Sequence, residues 1–389
     1  MEIYQTNFVK NDVSFFLNIV RIVAAELVLI GHILAYNLLS KQFSPTFNGI
    51  SALYFPYNVN FIEIADFGLV LFFLISGLLI SNSIFSKLKK GKFSFTEYFF
   101  DRFARIYSGL IPCLFIILIL DYINITFFPA HFLSVSAISG TIHSFLADFS
   151  LVNFIGSLTL LNHLPFSSLD IGFGFGTARP LWVLPIEWWL YISFGWLILQ
   201  WKQIYARKWL YILVFLVFSI IPLGYLFLQN SNGLIVVVWL FGVLITAIMS
   251  SYTVLDAVPF KPVIAAVLFV FAIVMMMIYK GTVMNLPAIS LIMFAFLFII
   301  AYLKGKTFFS NTRLTKTVQF VAGYTFTLYL IQMPVILLVN VLSFPDLRIL
   351  VIVSFIIANL CAIPIAYFTE MRHKVFASWL KTKFLGVAA

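Results

Sequence analysis

An all-α, polytopic membrane bundle of about ten transmembrane helices is the fold class this sequence predicts. Sixty-two per cent of its 389 residues are hydrophobic, only 10% are charged and 46 are phenylalanine, and the mean hydropathy is +1.07. A soluble globular chain carries about 25% charged residues. The apolar residues are also grouped into runs of roughly 20, the length that crosses a bilayer as a helix. These runs cover 14–39, 66–85, 104–122, 181–199, 209–228, 234–250, 263–279, 287–303, 318–342 and 349–369. They leave no room for a sizeable soluble domain, and with no repeat, heptad or low-complexity stretch the chain reads as one domain, 1–389.

The first run is too long and too charged for a signal peptide and lacks a small-residue cleavage pattern, so it reads as a retained helix. The net charge of +10 would suit nucleic acid in a soluble protein. Here it follows topology instead, and no nucleic-acid partner is expected. With the N-terminus cytoplasmic, ten spans return the C-terminus to the cytoplasm, and of the 24 Lys and Arg only Lys41, Arg179, Lys280 and Arg348 fall outside. The segment 123–180 sets the count. Its run "FIGSLTLL" is apolar but short, and a full span there would turn every later basic loop outward, so it is placed outside the cytoplasm as interfacial or re-entrant structure. Cys113 and Cys361 sit in apolar runs as ordinary thiols, and His131, His143 and His163 lack metal-ligand spacing, so no disulfide framework and no metal site are expected.

Within the first run, "RIVAAELVLIGH" carries Arg21, Glu26 and His32. Eleven helical steps return a side chain to within roughly 20° of its starting direction, with a rise of about 16 Å. Arg21 and His32 thus share one stripe and mark the inner and outer halves of one path. Ionisable residues inside spans usually face a cavity or the bundle interior. The plainer reading is that Arg21 snorkels to the inner headgroups and His32 makes an interhelical hydrogen bond. Glu26 is rotated about 140° from Arg21 and needs a partner on another helix.

Four lysines after the second run, Lys87, Lys89, Lys90 and Lys92, are explained by topology. Arg102 and Arg105 are spaced i,i+3 on one face, at the expected N-terminal end of the third helix, where guanidinium forks suit phosphate. Two further topology charges are the alternative. Glu187, in "ARPLWVLPIEWWLY", lies about two turns in from the outer surface, near the depth of His32. A carboxylate and an imidazole at one level make a base and its orienter, or a base and an acceptor-binding group; a hydrogen bond from Glu187 to a tryptophan is the structural alternative. Ser76 and Gly77 in "FFLISGLLIS" suit close helix packing, and Tyr324, Tyr329 and Gln332 in "GYTFTLYLIQMP" are polar enough to line a cavity or to join helices. "IGFGFGTARP" has glycines but no P-loop lysine, so no nucleotide cradle is expected there.

Together these stretches resemble the acyltransferase-3 family of integral membrane O-acyltransferases. The resemblance covers most of the chain: an Arg-x10-His in the first helix (Arg21, His32), "FFLISGLLI" like the family's FF-x-x-SG-x-L-I, "RFAR" like its R-x-x-R, and "PLWVLPIEWWLY" like its LW-x-L-x-x-E-x-x-x-Y. One position departs. Gln332 stands where a histidine is common in the family's Y-x-x-YL-x-H-x-P-V; its amide hydrogen-bonds but cannot transfer a proton. No SGNH-type domain like the one fused to some relatives is expected here, so a second transfer step is expected to need a separate protein.

The resemblance implies a membrane O-acyltransferase, in the bacterial cytoplasmic membrane, that takes an acyl group from cytosolic acyl-CoA as co-substrate, acetyl-CoA first among donors. The acceptor it implies is a hydroxyl of a cell-envelope glycan, a lipid-linked glycan or a related acceptor, with a lipid or a small natural product also open. His32 would be general base or acyl relay, with Glu187 beside it. Arg102 and Arg105 would meet CoA phosphates, Arg21 the pantetheine arm, and Ser76, Tyr324 and Gln332 would line the substrate path. Trp182, Trp188 and Trp189 suit either glycan stacking or an interfacial belt. The rival class is a transporter or lipid-linked glycan flippase, which also needs intramembrane Arg, Glu and His; no duplicated pattern or paired broken helices point to it.

Overall fold

Each expected apolar run folds as helix, because within hydrocarbon only intrahelical bonds satisfy every backbone N–H and C=O. A computed structural model describes residues 8–39, 61–89, 91, 94–129, 149–166, 174–228, 230–251, 258–278, 286–309, 312–342, 344 and 346–386. His131, His143, Lys41, Lys90, Lys92 and Lys280 lie outside the described residues. The helices are α1 (Asn11–Leu39), α2 (Phe61–Leu88), α3 (Phe95–Phe127), α4 (Leu151–Thr159), α5 (Val183–Leu199), α6 (Trp201–Tyr205), α7 (Trp209–Leu228), α8 (Asn230–Ser251), α9 (Lys261–Ile278), α10 (Leu286–Leu303), α11 (Arg313–Ala322), α12 (Thr325–Asn340), α13 (Leu347–Phe368) and α14 (His373–Leu385). Short 3-10 turns, Arg179–Trp182 and Glu370–Arg372, precede α5 and α14.

Among the described residues, seven helices are long and apolar enough to cross a membrane, and eight if α11 and α12 form one interrupted span. The expected ten are reduced because the apolar parts of α9 and α10, Lys261–Met275 and Pro287–Leu303, are shorter. In the segment 123–180, α4 has nine residues, about 14 Å of helix against a core of about 30 Å.

The third helix begins earlier than its apolar run. Ser94 accepts from the Glu97 amide at 3.2 Å while Glu97 accepts from the Ser94 amide at 3.0 Å, a reciprocal capping box that satisfies two orphan donors. The start at Phe95 places Arg102 and Arg105 two to three turns inside α3. They are therefore not at a helix N-terminus, and the expected contribution of free backbone N–H groups to an anion site is corrected.

The chain divides into two compact units. The first comprises Met1–Val28, Glu63–Phe93 and Gln229–Ala322. In it α9 packs on α10 and α8 on α10, and buried Asp12 accepts from the amides of Phe308 and Phe309 at 2.8 and 2.9 Å. Helices α2 and α8 meet through glycine: a Cβ on Gly77 would stand 2.0 Å from the Trp239 carbonyl oxygen, and one on Gly242 2.3 Å from that of Leu74. Close backbone approach of this kind substitutes for the missing hydrophobic drive between helices in lipid. Gly77→Ala is expected to force the pair apart and cost about 3 kcal/mol, read as a lower melting temperature of the detergent-solubilised protein; an unchanged value would contradict the close approach.

The second unit comprises Leu29–Ile62, Ser94–Leu228 and Gly323–Ala389. Here α3 packs against α5, α12 and α14, α5 against α7, and α12 against α13. A cluster of Ala104, Ala377 and Leu380, with Phe100, Phe103 and Phe376 around it, seats α14 on α3, and Lys381 pairs with Asp101 at 2.6 Å. Gly195 lets α5 close on the Tyr98 ring, whose hydroxyl donates to the Tyr191 carbonyl at 2.9 Å.

Candidate active site

The second unit holds His32, Arg102, Arg105, Glu187, Tyr324, Tyr329 and Gln332. Arg21 and Ser76 belong to the first. There the Ser76 hydroxyl accepts from the Trp239 indole at 3.3 Å, beside the Gly77 contact, so its observed bond is a packing one.

Three side-chain groups meet along α12. At its start, Glu370 is fully buried and accepts from the Thr327 amide at 2.9 Å and the Thr327 hydroxyl at 3.0 Å. Thr327 is the third residue of α12, so Glu370 satisfies one of the orphan donors left by the break at Gly323 and Tyr324. Its other carboxylate oxygen is ion-paired with Arg105 at 2.9 Å. Next to it His373 Nδ1 lies 2.8 Å from the Glu370 carbonyl; a carbonyl only accepts, so this nitrogen carries the proton. Arg105 is thereby committed within the protein. Arg102 has no such carboxylate among the described residues: its guanidinium carbon lies 5.6 Å from the Tyr98 ring centroid, and its buried Nε has no hydrogen bond.

Two residues along, Tyr329 donates its hydroxyl to the Pro180 carbonyl and lies within electrostatic range of Glu187. Glu187 is buried and accepts from the Tyr191 hydroxyl one turn on. The turn Arg179–Trp182 thus reaches the interior through Pro180. The tryptophans are engaged by protein. Trp188 meets Phe99 and Tyr107 edge-on, each at 5.7 Å, Trp189 donates to the Leu160 carbonyl at 3.0 Å, and Trp182 meets the His163 ring at 5.5 Å.

Almost one turn further, Gln332 meets His32 through its side chain. The amide Nε2 donates to the Tyr329 carbonyl at 3.1 Å. Gln332 Oε1 and His32 Nδ1 are sealed from solvent and neither completes a hydrogen bond, while His32 as a whole stays half-buried. Tyr329, within electrostatic range of Glu187, and Gln332, which meets His32, are joined by that amide hydrogen bond. Tyr324 is buried at the N-terminal cap of α12.

Sequence reasoning missed Glu370, Tyr191 as the partner of Glu187, and Asp121. The last is fully buried near the C-terminal end of α3 and accepts from the Thr177 amide at 2.9 Å and its hydroxyl at 2.6 Å, pinning the segment before α5 to α3. For Asp121 the available signal was its being the one acidic residue in the run 104–122. Among the described residues no cluster of His, Cys, Asp and Glu could hold a metal.

No curated protein and no solved structure matches the chain. A family model described as an acyltransferase domain matches residues 14–369, from the early turns of α1 to the end of α13. A match of that extent, over helices whose buried polar groups converge on α12, means that the chain belongs to the acyltransferase-3 family of membrane acyltransferases.

Proposed function

We propose that this protein transfers an acetyl group from cytosolic acetyl-CoA to a hydroxyl of a cell-envelope glycan, with His32 as the general base. The observation that carries the reading is the convergence on α12 of the Arg105–Glu370 pair at Thr327, the Glu187 neighbourhood at Tyr329 and His32 at Gln332. From Thr327 to Gln332 the helix rises about 7.5 Å, well within the reach of an extended pantetheine arm.

In this scheme Arg102, with its unpaired Nε, takes a CoA phosphate through its planar fork. Arg105 holds the frame of that site through Glu370. Neutral His32 takes the proton of the acceptor hydroxyl as its oxygen attacks the thioester carbonyl. The C–S bond breaks, the CoA thiolate leaves and recovers the proton from the imidazolium. Glu187, which accepts from the Tyr191 hydroxyl, serves the acceptor. A single imidazole with good positioning suffices for an activated thioester.

Calorimetric titration of the purified protein with acetyl-CoA is the test. Arg102→Ala is expected to weaken binding by about tenfold or more, and Arg102→Lys to recover part of it, since the charge returns without the fork. Absence of binding by the wild type, or equal binding by Arg102→Ala, would overturn the donor site and return weight to a transporter.

A further inference from the structure

The amide of Gln332 can face only one way. Its Nε2 donates to the Tyr329 carbonyl at 3.1 Å; turned over, it would set Oε1 against that carbonyl oxygen, two acceptors with no proton between them. The orientation is thus fixed by chemistry, and Oε1 is left as a buried acceptor with no donor. The side chain it meets is His32, whose Nδ1 is likewise buried without a hydrogen bond. A buried polar atom left unsatisfied costs about 1–3 kcal/mol, so an acceptor and a potential donor in adjoining side chains have a strong reason to serve each other.

We propose that Gln332 is a positioning residue: its Oε1 accepts the Nδ1–H of His32 and so holds the imidazole in the tautomer whose Nε2 lone pair is free. The residue as a whole keeps partial exposure, and in this tautomer the free lone pair is the one offered to a hydroxyl. The orienting partner of a catalytic histidine is often a carboxylate, which stabilises the imidazolium as well as the tautomer. A neutral amide does the first less and the second fully. Gln332 therefore defines which nitrogen is the base without placing a second charge next to it. The role in catalysis rests on the acyltransferase reading above; the tautomer does not.

The experiment uses the full chain labelled with ring-15N histidine in lipid nanodiscs, without substrate. His32 is identified among the five histidines by the signals lost in His32→Asn. The expected spectrum at neutral pH shows a protonated Nδ1 and an unprotonated Nε2. Gln332→Leu should lose this preference and give a mixture of tautomers, and Gln332→Glu, which keeps an acceptor oxygen, should restore Nδ1–H. In parallel, incorporation of radiolabelled acetyl from acetyl-CoA into the membrane fraction should fall about 10- to 100-fold in Gln332→Leu and recover partly in Gln332→Glu. A protonated Nε2 in the wild type, or a tautomer unchanged by Gln332→Leu, overturns the proposal. Should Gln332→Leu not fold, the wild-type and Gln332→Glu spectra decide. A wild type with the expected tautomer and no acetyl incorporation would instead sink the acetyltransferase reading and leave the role of Gln332 in place.

Discussion

His32→Ala should abolish acetyl transfer, by about 10²- to 10⁴-fold, while the protein still inserts and binds acetyl-CoA. The histidine stands on α1 with its Nδ1 buried and the residue as a whole partly exposed. Alanine removes the proton acceptor but leaves the Arg102 region, on another helix, intact. Acetyl incorporation and donor binding, measured on the same preparation, separate the two effects. A base mechanism further predicts that incubation with radiolabelled acetyl-CoA alone leaves no label on the chain. Label recovered on His32 would establish the acyl relay instead, and normal transfer by a well-expressed His32→Ala would remove this residue from catalysis.

An equally large effect, on stability, is expected from Glu370→Ala. Glu370 has 0% exposure and Arg105 27%, so deletion of the carboxylate strands a largely buried guanidinium together with the amide and hydroxyl of Thr327. Breaking a buried pair by removing one partner costs about 3–5 kcal/mol, and the cost here includes the lost cap of α12. Glu370→Gln keeps an acceptor for Thr327 but loses the charge, so its melting temperature should lie between those of alanine and wild type. Acetyl-CoA binding should weaken in both, because Arg105 loses its anchor. A melting temperature unchanged in Glu370→Ala would mean that the pair contributes little.

The helical architecture was legible because hydropathy runs in a membrane chain are direct consequences of backbone desolvation. Boundaries were less so. The true start of α3 is marked by Ser94 and Glu97, a capping box that the lysines of a basic, polar stretch mask. Arg102 and Arg105 look equivalent in sequence, spaced three apart on one face. Only the fold distinguishes them, since it gives Arg105 a carboxylate 265 positions later and leaves Arg102 without one at Nε. Glu370 reads as one more charge in a basic tail, and nothing in its neighbours announces that it is buried. Gln332 stands out in the sequence as a departure from the family pattern. That it meets His32, some 300 residues earlier, is a fact of helix packing that no local spacing encodes.

The Glu370 cap also bears on where this chain can be cut. The family match ends at residue 369, one position before the carboxylate that holds Arg105 and the first turn of α12. A chain trimmed at that border would keep every matched residue and still lose the Thr327 acceptor, the Lys381 tie to Asp101 and the apolar seat of α14 on α3. By contacts rather than by similarity, a piece that keeps Arg105 paired and α14 seated on α3 includes Glu370 and runs on past Lys381. Boundaries for truncation, tagging or fusion of this protein are better drawn after α14 than at the edge of the shared domain.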